Sequence, residues 1–187
     1  MTERNETVRR QAAVVIPIFA NAPHDVVFVE RARHLRRHAG QIAFPGGAVD
    51  DADGGDHARA ALREVEEEVG IPPTAITIVA AMKPILQRQN VFLVTPFVGV
   101  VAAGTELVVD LNEASAAHRV PLAAIVAPGA VHDGIELIDG RRIETSHFDY
   151  GAMHVWGLTG HMLRDFVALY HDPQSALRVT LDAHLDH

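Results

Sequence analysis

Blocks of apolar, β-branched residues separated by turn-forming clusters make up most of this chain, and two stretches switch to helical spacing. Ala13–Phe19 and Val26–Val29 read as strands, parted by the turn-like run Asn21-Ala22-Pro23-His24-Asp25. Gln41–Phe44 reads as a short strand leading into Pro45-Gly46-Gly47, and the Asp/Gly-rich stretch Asp50–Asp56 as an irregular loop. His57–Val69 is the clearest helix. Ala58, Ala61, Leu62, Val65 and Val69 recur on one side, Asp56 stands at the N-cap position, and Gly70 with Pro72 and Pro73 beyond it ends the run. Strand-like runs follow at Ile76–Ala80, Val91–Val101, Leu107–Val109, Arg142–Glu144 and His147–Tyr150. Pro121–Val126 suits either element, Leu158–Tyr170 has helical period, and the tail from His171 is weakly patterned. Strands and helices intermingle without regular βαβ alternation. The expectation is one α+β domain over 1–187, a mixed sheet with helices on both faces, and flexible tails at 1–11 and 172–187.

Composition narrows the classes. Across 187 residues, 48% are apolar and 21% charged, which excludes a disordered chain. No cysteine occurs, so disulfides, thiolate zinc sites and a cysteine nucleophile are excluded together. Sixteen basic against 24 acidic residues leave a net charge of −8, which argues against nucleic acid or an anionic membrane as partner. An anionic substrate then requires local basic groups or a metal ion. Met1–Gln11 is polar and lacks the apolar core of a secretory signal. Val91–Ala103, interrupted by Thr95, Pro96 and Gly99, is too short to span a bilayer. These features predict a cytoplasmic protein and leave a homodimer open.

The helix carries the first chemical signal. Arg63-Glu64-Val65-Glu66-Glu67-Glu68 sets four carboxylates in five residues. At about 100° per residue, Glu64, Glu67 and Glu68 fall within roughly 50° of one meridian, with Leu62, Val65 and Val69 opposite. Such a stripe is either a solvated acidic face or a cluster around a hard divalent ion. Like charges at this spacing repel, only Arg59 and Arg63 are near to offset them, and a Gly-rich turn precedes the helix. Hard oxygen donors of this kind suit Mg²⁺ or Mn²⁺ and not zinc.

Gly47, the Asp-rich loop and Arg63-Glu64-Val65-Glu66-Glu67-Glu68-Val69-Gly70-Ile71 together resemble the Nudix box, G-x5-E-x7-R-E-U-x-E-E-x-G-U with U a bulky aliphatic residue. The second half matches at every specified position. In the first half Asp53 stands where the pattern has Glu, and nine residues instead of seven separate it from Arg63, which leaves the role of Asp53 unassigned. The resemblance implies a Nudix fold, an α/β/α sandwich around a mixed sheet, and a metal-dependent hydrolase. It makes Glu67 and Glu68 the principal ligands of Mg²⁺ or Mn²⁺, with the Gly46 carbonyl as another. Glu64 becomes a further ligand or the group that handles the attacking water, and Arg63 orients the carboxylates.

The basic segment Arg31-Ala32-Arg33-His34-Leu35-Arg36-Arg37-His38 precedes this box in an otherwise acidic chain. Arginine offers charge and a fork of donors suited to phosphate oxygens; the plain alternative is a solubilising loop. Arg31-Ala32-x3-Arg36-x3-Gly40-x3-Phe44-Pro45-Gly46-Gly47 is similar to the signature of coenzyme A pyrophosphatases within the Nudix family, although Val27–Glu30 lacks that subfamily's Leu-Leu-Thr. Weaker likenesses extend to Val94–Gly99, Asn112-Glu113, Pro121-Leu122 and Trp156–Thr159, whereas Gln87–Asn90 departs from the expected Ser-Gly-containing loop. The resemblance implies cleavage of the diphosphate of coenzyme A or a derivative, with Arg31 and Arg36 as leading substrate contacts, Arg33 and Arg37 as alternates, and Phe44 beside them. A Nudix hydrolase of ADP-ribose, NADH or another nucleoside diphosphate derivative is the second reading. A Nudix-fold nucleotide-binding module without catalysis is the third.

The remaining candidates read as structural. Twelve His are scattered, no His-Glu-x-x-His occurs, and only His184 and His187 in the tail suggest adventitious metal binding. No Walker A or G-x-G-x-x-G sequence occurs. Glu113 is either a surface residue or an added carboxylate, and Trp156 reads as a core residue or helix-start anchor.

Overall fold

Two apolar runs, β1 (Arg10–Phe19) and β2 (Asp25–Arg31), meet antiparallel in the computed structural model, which describes residues 10–34, 39–87, 92–138 and 140–185. The other strands of this sheet are β3 (Ile42–Ala43), β4 (Gly46–Ala48), β5 (Ile76–Ala81), β6 (Ile85–Leu86), β7 (Phe92–Val101) and β8 (Ala114–Pro121). Its order is β3-β2-β1-β7-β5, with β4 also on β1, β6 on β7 and β8 on β2. β1 runs parallel to β7 from Arg10↔Phe92 to Phe19↔Val101, while the other pairings are antiparallel, so the sheet is mixed as expected.

Alternation along these strands feeds two cores. Ala13, Val15 and Phe19 of β1 and Val27 and Val29 of β2 pack with Ala61, Val65 and Val69 of α1 (His57–Val69). Ile16 and Ile18, with Val26 and Phe28, face the other way, toward Met162, Leu163 and Phe166 of α3 (Gly157–His171). Both faces are covered by helices, which is why β1 and β7 are near-continuous apolar runs. α1 keeps its expected bounds because its ends are capped. The Asp56 side chain accepts from the Ala58 and Arg59 amides at 2.9 and 3.1 Å, and Gly70 closes the helix at φ 70°.

Four expectations change. Leu107–Val109 is not a strand: the Val108 and Asp110 amides donate instead to the Val69 and Glu68 carbonyls at 2.9 and 3.1 Å, satisfying acceptors that α1 leaves open at its C-terminus. Arg142–Glu144 and His147–Tyr150 are parts of one strand, β10 (Arg141–Tyr150), which joins β9 (Val131–Ile138) and β11 (Met153–Val155) in a second, three-stranded sheet ordered β11-β10-β9. Pro121–Val126 divides between the end of β8 and a short helix, α2 (Leu122–Ile125). The described residues of both expected tails also carry regular structure. Arg10 and Gln11 begin β1, and α4 (Ala176–Asp182) forms beyond His171, capped by Ser175 and anchored by buried Leu177 and Leu181.

Candidate active site

The turn Phe44-Pro45-Gly46-Gly47 delivers two glycines to the foot of α1, and each faces a carboxylate. The Gly46 amide donates to Glu68 Oε2 at 3.1 Å, and a Cβ on Gly47 would collide with the Glu64 carboxylate. A Cβ on Gly46 would strike the Val14 Cα at 2.5 Å, since this strand lies directly against β1. Glycine at both positions is therefore a matter of room.

Arg63 ties the acidic groups together. Its Nη1 donates to Glu64 Oε1 and Glu67 Oε2, each at 2.9 Å; its Nε and Nη2 donate to Asp53 Oδ1 and Oδ2, each at 3.2 Å; Nη2 also reaches the Ala48 carbonyl. This settles where Asp53 lies. It is 2% exposed, sits in a 3-10 turn (Asp51–Asp53), and its Oδ2 accepts the Asp50 amide at 2.9 Å. Gly54 and Gly55, at φ 65° and 79°, make the reversal that the longer loop needs. The Arg63 hydrogen bonds, then the Asp50 amide, hold the Asp53 pKa below the ordinary carboxylate value.

Glu68 is in the opposite situation. It is 3% exposed, and burial pushes its pKa up to about 7 despite the Gly46 amide and Arg31, whose Nη1 lies 3.6 Å from Glu68 Oε1; Glu64 and Glu113 add repulsion. Burial also raises the Glu64 pKa, against the pull of Arg63. Glu67 remains exposed. Glu68 and Glu64 thus face the glycine turn, and Arg63 links Glu64 to Glu67. Arg31 joins them at Glu68, beside a register shift in the β2–β8 pairing between Glu30 and Arg31.

The other expected contacts separate. The Arg33 side chain is exposed and pairs with Glu30 at 3.6 Å, while Arg36 and Arg37 lie outside the described residues. Phe44 is 3% exposed and its ring stacks on Phe28 at 4.8 Å, so it packs the core beneath the glycine turn and offers no open ring to a ligand. The grip of Asp53 on Arg63 and the influence of Glu113 on Glu68 were not legible beforehand, because both depend on loops whose path only the fold defines.

The NUDIX domain family matches residues 8–139. The chain belongs to the Nudix family. It is 40% identical over 158 residues, 83% of this chain and 80% of the other, to the uncharacterized Nudix hydrolase NudL of Escherichia coli strain K12. Among solved structures, a MutT/nudix family protein from Enterococcus faecalis is similar with a TM-score of 0.55 at 17% identity, over 91% of this chain and 67% of that one. The Nudix hydrolase RenU from M. smegmatis matches with a TM-score of 0.51 at 20% identity, over 62% and 73% respectively. These structures share the Nudix fold with the chain, an α+β arrangement with a mixed sheet.

This Nudix hydrolase is an enzyme of a family that acts on small molecules with divalent metal ions such as Mg²⁺ or Mn²⁺. Its residues suit such an ion. Around Glu68 the carboxylates of Asp53, Glu64, Glu67 and Glu113 outnumber the guanidinium groups of Arg31 and Arg63, and the donors are hard oxygens. No helix among the described residues is long and apolar enough to cross a membrane.

Proposed function

We propose that this Nudix hydrolase cleaves the diphosphate of coenzyme A or a derivative, releasing 4′-phosphopantetheine or its acyl form and adenosine 3′,5′-bisphosphate. The observation that carries the reading is the approach of Arg31 to Glu68, 3.6 Å apart, which brings the first residue of the basic segment to the edge of the carboxylate cluster. A substrate whose diphosphate sits at the carboxylate cluster would present its further phosphate to the basic segment.

Glu67, Glu68, Glu64 and the Gly46 carbonyl would hold Mg²⁺ or Mn²⁺. When bound, the ion lowers the pKa of a water and offsets charge developing on the diphosphate. Arg63 fixes the rotamers of Glu64 and Glu67 by donating to both, and Asp53 fixes Arg63. With Oε1 engaged by Arg63, Glu64 has Oε2 for a ligand bond or for the proton of the attacking water; its raised pKa brings it nearer to the neutral range where a base works well. Arg31 contacts phosphate, with Arg33, Arg36 and Arg37 as further contributors from the same segment.

A panel of coenzyme A, the same diphosphate lacking its 3′-phosphate, ADP-ribose and NADH, assayed with Mg²⁺ and with Mn²⁺, tests the reading. Coenzyme A should show the highest kcat/KM. A higher value for ADP-ribose or NADH would replace the proposed substrate class with the other nucleoside diphosphates. Arg31→Ala should lower turnover of coenzyme A more than that of the analogue without the 3′-phosphate. Equal losses would assign Arg31 to the shared diphosphate or to Glu68.

A further inference from the structure

The three-stranded sheet presents a second group of metal-binding side chains, one from each strand. Glu136 on β9, His147 on β10 and His154 on β11 each place one donor atom within 4.8 Å of the donors of the other two. The Glu136 Oε1 to His154 Nε2 separation is 2.9 Å, and Glu136 Oε1 to His147 Nδ1 is 3.6 Å. Donors bound at about 2.1 Å to a tetrahedral ion lie roughly 3.4 Å apart, so the existing spacing is close to what ligation needs. The register puts all three side chains on one face of the sheet. His132, Gly134 and Glu136 alternate along β9, opposite His147, Thr145 and Ile143, and Asp149 stands opposite His154.

Three independent features point to a ligand. His147 is 6% exposed, its Nε2 has no hydrogen-bond partner, and its Nδ1 lies just beyond hydrogen-bond reach of Glu136. A buried imidazole nitrogen without a partner is costly unless something else engages it. Gly134 makes the space that this ring occupies: a Cβ there would come within 2.7 Å of His147 Cδ2 and Nε2. Finally, His154 Nδ1 is paired with Asp149 Oδ1 at 2.6 Å, which turns Nε2 toward Glu136. A carboxylate behind a histidine, fixing the ring so that its other nitrogen faces inward, is the common support of a metal-ligating imidazole.

We propose that Glu136, His147 and His154 form a site for a zinc-class divalent ion that ties β9, β10 and β11 together, separate from the carboxylates of α1. Two imidazoles and one carboxylate favour zinc over magnesium, and three protein ligands leave a place for water. His132, whose ring lies 5.9 Å from that of His147, borders the site. None of its three ligands comes from α1, so this site and the catalytic one can fail independently.

Zinc chloride titrated into the full chain, stripped of metal and then kept in excess Mg²⁺, tests the proposal by calorimetry and by metal content after gel filtration. One zinc per chain should be retained, and Glu67→Gln should retain it equally. His154→Ala should weaken retention at least tenfold while leaving Mg²⁺-dependent turnover unchanged. Asp149→Asn should weaken it about 10–100-fold. His154 and Asp149 lie at the surface, so these variants keep the test decisive even if His147→Ala disturbs folding. No zinc uptake, or uptake unaffected by His154→Ala and lost in Glu67→Gln, would overturn the assignment and leave a hydrogen-bonded cluster.

Discussion

α1 and the β9–β10–β11 sheet both concentrate side chains that bind cations, and they assemble them by opposite routes. In α1 the carboxylates of Glu64, Glu67 and Glu68 lie within a single stretch of helix, so local geometry alone brings them together. In the sheet, Glu136, His147 and His154 come from three strands, and only the pairing of β10 with its two neighbours puts them on one face. The chemistry differs accordingly. α1 offers hard oxygens beside arginines, as a phosphate-processing site requires, whereas the sheet offers imidazoles and a fixed carboxylate. A helix can announce a site in one window of sequence; a sheet cannot.

The sharpest way to break the comparison is to remove one donor from α1. Glu67→Gln keeps size and polarity but loses the charge, and transition-state stabilisation of several kcal/mol is at stake. Turnover should fall about 10³-fold or more. Glu67 is exposed, so far-ultraviolet circular dichroism and melting should stay close to those of the parent. Undiminished hydrolysis by this variant would remove the metal role assigned to the helix.

Glu68 sharpens the comparison through stability. Its folded pKa of about 7 stands above the ordinary 4.5, so the folded state holds an extra proton between those values. Metal-free stability attributable to Glu68 is therefore full below pH 4.5, falls as pH rises toward 7, and stays reduced above it. By pH 8 the ionised carboxylate costs up to about 3 kcal/mol. Glu68→Gln should raise the melting temperature of the metal-free protein at pH 8 and leave it unchanged near pH 4. Added Mg²⁺ should reverse the order, stabilising the parent more than the variant. A variant that melts below the parent at pH 8 without metal would show that Glu68 is not destabilised by burial.

The same contrast explains how much of the molecule could be read from its sequence. The bounds of α1, its two caps and its carboxylate stripe are local properties, and each was legible. So were β1, β2 and β7, whose apolar runs follow from helices on both faces. β8 and β9 were not: Ala114–Pro121 is alanine-rich, Val131–Ile138 contains Asp133 and Gly134, and both become strands by pairing with stronger neighbours. Leu107–Val109 has strand composition, but its amides serve the end of α1. Scattered histidines gave no spacing signal because Glu136, His147 and His154 are related by register and not by period. Asp53 was visible as a departure from a pattern, yet its partner Arg63 became evident only once the turn at Gly54-Gly55 closed the distance.

Two aspartates allow the finest comparison, since each acts through another residue. Asp53 holds Arg63, which orients Glu64 and Glu67; Asp149 holds His154. Removing the charge of a group that orients a metal-binding side chain typically costs 10–100-fold in activity or metal affinity. Asp53→Asn should therefore lower kcat by that factor with little change in KM, because Arg63 loses a two-point anchor while substrate contacts remain. Its zinc retention should match the parent. Asp149→Asn should do the reverse, keeping kcat and losing zinc. Kinetics and zinc titration on the same two preparations read both outcomes, and a variant that lowers both properties together would mean the two regions are coupled through the core that Phe28 and Phe148 share between the sheets, their rings 6.5 Å apart.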